Sequence, residues 1–406
     1  MRSVEHEPLA ALLRRREVGR LLRLLNSDGE EARIIGGAVR NALLGEAVAD
    51  FDVATTALPQ ETSRRAQEAG FKVVPTGIEH GTVTVLVAGT PFEVTTLRRD
   101  VETDGRRAVV AFGRDFRQDA LRRDFTINAL GLDAEGRVHD YAGGLADLAA
   151  RRVRFIGEAR QRIAEDYLRI LRFFRFQARY GAGEPDPESL AACVAGRAGL
   201  EGLSRERVWA ELRKLLAAPG AAATLDVMAG AGLLMPVIGA VPRLSRFAAI
   251  AEEPGEGVHP AFRLAALAVG VGEDALRLRE RLRLSNAEFE RIAGIAAALE
   301  ALGGRREQPD IVALRKTAQR VGAEAVAGAL VLTGGAPDAV QPLIAELART
   351  PPFLPSGKDV LALGLAAGPG VGQALEAARA AWIEAGCPAG REAQMGFVIA
   401  AAASAE

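Results

Sequence analysis

Two carboxylates stand at i and i+2 in Asp50-Phe51-Asp52, with Asp50 fourteen positions after Gly36, the first of the glycine pair Gly36-Gly37. The run Ala32 to Ile35 leads into those glycines, and Ala38-Val39-Arg40-Asn41-Ala42-Leu43-Leu44-Gly45 follows as a short amphipathic segment that can open a helix. A glycine-flanked helix start offers free N–H groups to a phosphate. On a strand, the i, i+2 spacing puts both acids on one face, where they repel unless a cation lies between them. The pattern reads as a phosphate cradle beside a seat for Mg²⁺, hence a nucleoside triphosphate held on metal.

Arg122-Arg123-Asp124-Phe125-Thr126-Ile127-Asn128 is the second dense stretch. Arginine suits phosphate, and Asp and Asn suit ribose hydroxyls; the plainer alternative is an Arg–Asp pair capping a helix. Glu165 to Phe176 reads as one helix with Asp166 and Arg169 on a shared face. That pair is either an intrahelical salt bridge or a base reader. Cytosine and adenine each present an amino donor beside a ring-nitrogen acceptor; a carboxylate accepts from the first and a guanidinium donates to the second. Uracil and guanine present the opposite order. Arg172 and Arg175 extend this face, and residues 151–182 hold nine Arg against three acids. His139-Asp140 does not indicate a metal phosphohydrolase, because the only other histidines are His6, His80 and His259. Gly143 and Gly144 are expected to form a hinge. Gly364 to Gly372 lacks the preceding strand of a dinucleotide loop, and Ser356-Gly357-Lys358 lacks P-loop spacing.

These residues need a frame. Apolar spacing over 8–25 predicts a helix. Short strands are expected at 33–36, 50–55, 71–74, 82–87 and 92–97, the last two joined as a hairpin, and Asp100–Arg107 is expected as a loop. Beyond about 150, helical runs separated by Gly/Pro breaks dominate. Ser204 is an N-cap for a helix whose charges brace the preceding one. The expected organisation is an N-terminal helix (1–31), a sheet-containing head (32–150) and helical segments at 151–217, 218–330 and 331–406. The chain of 406 residues has a net charge of −1, so any nucleic-acid signal is local. Two cysteines, Cys193 and Cys387, exclude a disulfide framework and fit a reducing cytoplasm. No apolar run suits a membrane span, and the N-terminus does not read as a signal peptide.

The order Gly-Gly-x-Val-Arg-x-x-Leu-Leu-Gly-x4-Asp-x-Asp, Arg-Arg-Asp-Phe-Thr-Ile-Asn-Ala, Asp-Tyr-x-Gly-Gly, Glu-Asp-x-x-Arg-x-Leu-Arg and Arg-Glu-Arg, over residues 32–215, resembles the class II CCA-adding tRNA nucleotidyltransferases. The resemblance implies an α+β fold: a polymerase-β-like head with a small mixed sheet, then an all-α neck, body and tail. It implies addition of CCA to tRNA from CTP and ATP. Asp50 and Asp52 would hold the Mg²⁺ ions, with Glu93 a third carboxylate beside them. Gly36, Gly37 and Arg40 would line the triphosphate pocket; Arg123 and Asp124 would contact phosphate and ribose, supported by Asn128. Asp166 and Arg169 would choose the base, with Arg172 and Arg175 nearby, and Asp104-Gly105-Arg106 resembles the loop that switches from C to A. Asn41 departs from the family's usual Asp. The rivals on this fold are a poly(A) polymerase, whose more basic stretch is missing from 71–83, and a partial CC- or A-adding enzyme. A non-enzymatic RNA-binding protein has no use for Asp50 and Asp52 beside a phosphate loop.

Overall fold

The computed structural model describes residues 7–75, 77–104, 107–251, 259–303 and 310–404, with the backbone alone for 80, 99–104, 107–111 and 337. It divides into two compact units, Met1–Leu233 and Leu234–Glu406.

The first unit is built on a seven-stranded mixed sheet in the order β3-β4-β5-β2-β1-β8-β9. The strands are β1 (Ala32–Ile35), β2 (Phe51–Thr55), β3 (Lys72–Val74), β4 (Thr82–Val87), β5 (Thr90–Thr96), β8 (Leu130–Leu132) and β9 (Val138–Asp140). Between β5 and β8, β6 (Arg98–Asp104) and β7 (Arg107–Phe112) pair as a separate two-stranded ribbon. Asp100–Arg107, expected as a loop, therefore contributes paired strand; Gly105 and Arg106 lie outside the described residues. The alternation Thr/Val in β4 buries Val83, Val85 and Val87 on one face. Phe51 and Val53 of β2 and Phe92 and Val94 of β5 share that core. β2 and β5 run parallel in the register Phe51↔Phe92 and Asp52↔Glu93, so the two acids come side by side on the opposite face.

The N-terminal segment forms two helices, α1 (Glu7–Arg14) and α2 (Arg16–Leu25), because Arg15 leaves the helical region at φ −60°, ψ 125°. The single helix expected over 8–25 is thus broken. The remaining helices of this unit are α3 (Gly37–Leu43), α4 (Pro59–Glu68), α5 (Phe116–Leu121), α6 (Gly144–Ala149), α7 (Ala159–Glu165), α8 (Leu168–Tyr180), α9 (Pro187–Ala195), α10 (Arg205–Leu216) and α11 (Ala221–Gly230). Phe125, Phe155, Phe173 and Phe176 form one aromatic cluster that fixes α8 against the 125–128 segment, with centroids of 5.1 Å for Phe125–Phe176 and 5.7 Å for Phe155–Phe173. The expected Gly143–Gly144 hinge is instead a tight corner. A Cβ on Gly144 would lie 2.2 Å from the Thr126 carbonyl oxygen, so only glycine permits this approach. Asp147, fully buried, ties the corner to the site by accepting from Thr126 Oγ1 (2.6 Å) and pairing with Arg152 and Arg154.

The regular elements among the second unit's described residues are all helices. Trp382 is its largest fully buried side chain, its indole N–H donating to the Pro388 carbonyl at 2.9 Å. Buried Gln394 accepts from Leu354 N and donates to Pro352 O, stapling the proline-rich connection at 351–355. Ser356 caps the next helix with Asp359, and Gly364–Gly372 spans a corner between two helices. No described helix is long and apolar enough to cross a membrane.

Candidate nucleotide site

Gly36 turns β1 into α3 at φ +63°, a conformation that favours glycine, and its open side lies 3.5 Å from an Arg123 guanidinium nitrogen. Arg123 is held by Asp119, a buried carboxylate of α5 that also binds Arg122. Asp119 therefore aims an arginine across the glycine turn, a role the sequence motif did not disclose. Burial raises the Asp52 carboxyl above its ordinary range, and Glu93 and then Asp50 add repulsion that Arg123 only partly offsets. Asp50 and Glu93 are exposed, Asp52 half-buried.

This donor set fits a divalent cation: three carboxylates converge by sequence and register, and Arg123 only partly offsets the repulsion felt at Asp52. Among the described residues they do not close into a ready-made cage of three.

Arg40 is 6% exposed, and its guanidinium bonds to Asn41 (Nε 3.2 Å), Tyr180 (2.7 Å to the hydroxyl) and the Asn128 amide oxygen. It lies over the Tyr180 ring at 4.1 Å. All these partners are neutral. Burial, and then the nearby Arg175 charge, depress its pKa against the supporting Tyr180. Asn41 thus supplies Arg40 with a neutral acceptor, Oδ1. Arg40 reaches the site from inside, with little of its surface left to line a pocket.

Asp124 is an internal anchor. Its carboxylate accepts from Asn128 Nδ2 (2.9 Å), Phe125 N (2.9 Å) and Arg172 Nε (2.8 Å). Burial opposes its charge, yet Arg172 and Asn128 hold its carboxyl below the ordinary range. Its oxygens are engaged by the protein, where the sequence led to the expectation of a ribose contact.

The expected helix at 165–176 is interrupted. α7 ends at Glu165, Asp166 is extended at φ −159°, ψ 106°, and α8 begins at Leu168. Asp166 accepts from Leu168 N (3.1 Å) and pairs with Arg207 of α10 at 2.6 Å. Arg169 pairs with Glu165 and donates to the Arg162 carbonyl at 2.7 Å. The structure does not bond Asp166 to Arg169; each has its own holder at the mouth of α8. Glu211 of α10 takes Arg175 at 2.5 Å and reaches Arg172 at 3.6 Å. Ser204 caps α10 as expected, and the helix braces α8 at Arg172 and Arg175 through Glu211, while its Arg207 holds Asp166 ahead of α8. Arg207 and Glu211 were legible only as helix charges.

Of the nine arginines in 151–182, seven meet carboxylates: Arg152 and Arg154 on Asp147, Arg162 and Arg169 on Glu165, Arg172 on Asp124, Arg175 on Glu211 and Arg179 on Glu46. The local basic excess of the sequence is largely neutralised from elsewhere in the chain. Asp140 caps the following turn by accepting from Ala142 N, Gly144 N and Leu145 N, and His139 contacts Asp133.

A seven-stranded mixed sheet carrying a carboxylate pair next to a glycine turn, continued by helices, defines a nucleotidyltransferase. Residues 32–154 match the Poly A polymerase head domain, and residues 184–245 match the probable RNA and SrmB-binding site of polymerase A. The mouse mitochondrial CCA tRNA nucleotidyltransferase 1 is 35% identical over 386 residues, covering 90% of this chain and 86% of the relative. The CCA-adding enzyme of Geobacillus kaustophilus is 34% identical, covering 88% and 90%. The crystal structure of the Bacillus stearothermophilus CCA-adding enzyme in complex with CTP superposes with a TM-score of 0.73 at 30% identity over 96% of both chains. The chain belongs to the class II CCA-adding tRNA nucleotidyltransferases.

Proposed function

We propose that this chain adds C, C and A in turn to the 3′ end of tRNA, drawing on CTP and ATP and releasing pyrophosphate, without a nucleic-acid template. The observation that carries the reading is the side-by-side placement of Asp52 and Glu93 with Asp50 adjacent, facing the Gly36 turn and Arg123. Asp50 and Asp52 are the residues that hold Mg²⁺, assisted by Glu93. Held there, a divalent cation would supply Lewis-acid chemistry for nucleotidyl transfer, while the carboxylates of Asp50 and Asp52 would fix its place beside the Gly36 turn. Gly36 and Gly37 leave room for the triphosphate, and Arg123 places a positive charge beside it. Arg40 supports the turn from below through Asn128, and Asp124 sets Asn128 and Arg172. Asp166 accepts from the amino group of cytosine or adenine while Arg169 donates to the ring nitrogen. Arg207 and Glu165 hold those two side chains apart and oriented before a base arrives, and Arg175 stays on Glu211 as a brace.

The chain organisation proposed is a helix pair ahead of residue 32, a head to about 150, a neck to 217, a body to 330 and a tail beyond. A cytoplasmic setting agrees with the buried, unpaired Cys193 and Cys387.

Incubation with tRNA lacking its 3′ end, Mg²⁺ and CTP plus ATP is expected to stop after three additions; a long A tail would instead identify a poly(A) polymerase, and CTP alone should give CC. The Asp166→Ala variant is expected to keep transfer but lose roughly tenfold or more of its preference for CTP over UTP, one hydrogen-bonded contact's worth. Unchanged discrimination, measured as a ratio of kcat/KM values, would remove Asp166 from base choice.

A further inference from the structure

The segment 44–50 that delivers Asp50 has no regular secondary structure, yet two catalytic carboxylates depend on where it ends. Arg15, at the break between α1 and α2, reaches it. The Arg15 guanidinium donates to the Val48 carbonyl at 3.2 Å and lies 4.6 Å over the ring of Phe51, the residue between Asp50 and Asp52. Phe51 in turn packs on Phe92 at 5.0 Å, and Phe92 precedes Glu93. The ladder Arg15–Phe51–Phe92 therefore runs along the buried face of the sheet directly behind Asp52 and Glu93. Glu17 fixes the same guanidinium at 2.7 Å, so the arginine arrives oriented.

We infer that Arg15 is a positioning residue for the metal-holding carboxylates, which makes the N-terminal helix pair part of the catalytic apparatus although it lies outside the matched head domain of 32–154. The inference rests on the assignment of Asp50 and Asp52 to the metal. The break at Arg15 is what makes it possible, because in a continuous helix this side chain would follow the α1–α2 surface instead of turning to Val48. A second tether, Arg179 to Glu46 at 2.8 Å, holds the start of the same segment, but both its side chains are more open to water and it lies farther from Asp50.

The test is Mn²⁺ affinity, read by electron paramagnetic resonance on the full chain with a non-hydrolysable CTP analogue. Loss of a direct outer partner of a metal ligand typically weakens metal binding about 10-fold or more; Arg15 acts one residue removed, through Val48 and Phe51, and Arg15→Met is expected to weaken it about fivefold or more. Arg15→Lys, which keeps a charge over Phe51, should recover most of the affinity, and Arg179→Gln should stay within about twofold. The melting temperature serves as control for Arg15→Met; should that variant fail to fold, Arg15→Gln takes its place, with the same weakening of Mn²⁺ binding expected. Mn²⁺ binding unchanged in the neutral Arg15 variant overturns the inference alone. Mn²⁺ binding that Asp52→Asn leaves unchanged overturns the metal assignment beneath it.

Discussion

Replacing Asp52 by Asn is expected to cut nucleotide transfer by more than about a thousandfold while raising the melting temperature of the metal-free protein. The first effect follows from removing a ligand whose charge is used in the transition state. The second follows from the sign of the pKa displacement. The folded pKa of Asp52 is raised, first by burial and then by Glu93 and Asp50. A raised carboxyl contributes stability that is fully present below its unfolded value and is lost as pH rises through the folded one. At neutral pH the ionised group therefore costs stability, and a neutral amide of the same shape relieves that cost. The gain should vanish near pH 3, where both proteins are uncharged at this position. A thermal scan at pH 7.5 and pH 3, beside a single-turnover assay, checks both arms; a destabilised Asp52→Asn protein at neutral pH would contradict the reading of a strained carboxylate cluster.

Asp124→Ala should be the most damaging single change to the fold of the first unit. It leaves Arg172, Asn128 and the Phe125 amide without their common acceptor. Breaking a buried ion pair by deleting one partner costs about 3–5 kcal/mol, and at about 2–4 °C per kcal/mol for a unit of this size the transition falls by about 10 °C. Because the folded pKa of Asp124 is lowered, its contribution is present above the unfolded carboxylate value and is lost as pH falls through the folded one. The gap between wild type and variant should therefore close only below about pH 4. Arg172→Met combined with Asp124→Ala should cost less than the sum of the two, since no unpaired charge then remains. Additive losses in that cycle would separate the two residues.

Much of this site was legible in the residues. The i, i+2 acids and the glycine turn were local patterns, and local patterns survive folding: Gly36 does adopt a left-handed turn and Asp52 does face Glu93. Partner choice was not legible. Asp166 and Arg169 share helical spacing, but spacing says nothing about Arg207 or Glu165 competing for them, and the helix breaks at Asp166 because that competition and the Leu168 amide bond favour an extended residue there. Asp124 reads equally well as a ribose ligand or as an anchor until Arg172, 48 positions later, is seen to occupy it. The ribbon at 98–112 escaped because β6 is almost wholly polar and the apolar run of β7 is continuous, so neither strand shows the period-2 alternation that marks a strand.

The neutralised arginines of 151–182 have a consequence for ionic strength. A free guanidinium that meets a phosphate releases a condensed counter-ion from the RNA, and the number of such contacts sets how steeply affinity falls with salt. A guanidinium that already spends its charge on Asp124, Glu165 or Glu211 releases few. The region around α8 is thereby a poor electrostatic sink for RNA in general and a better instrument for hydrogen-bonded fit. What it gives up in long-range attraction it recovers as indifference to polyanions that do not match its shape.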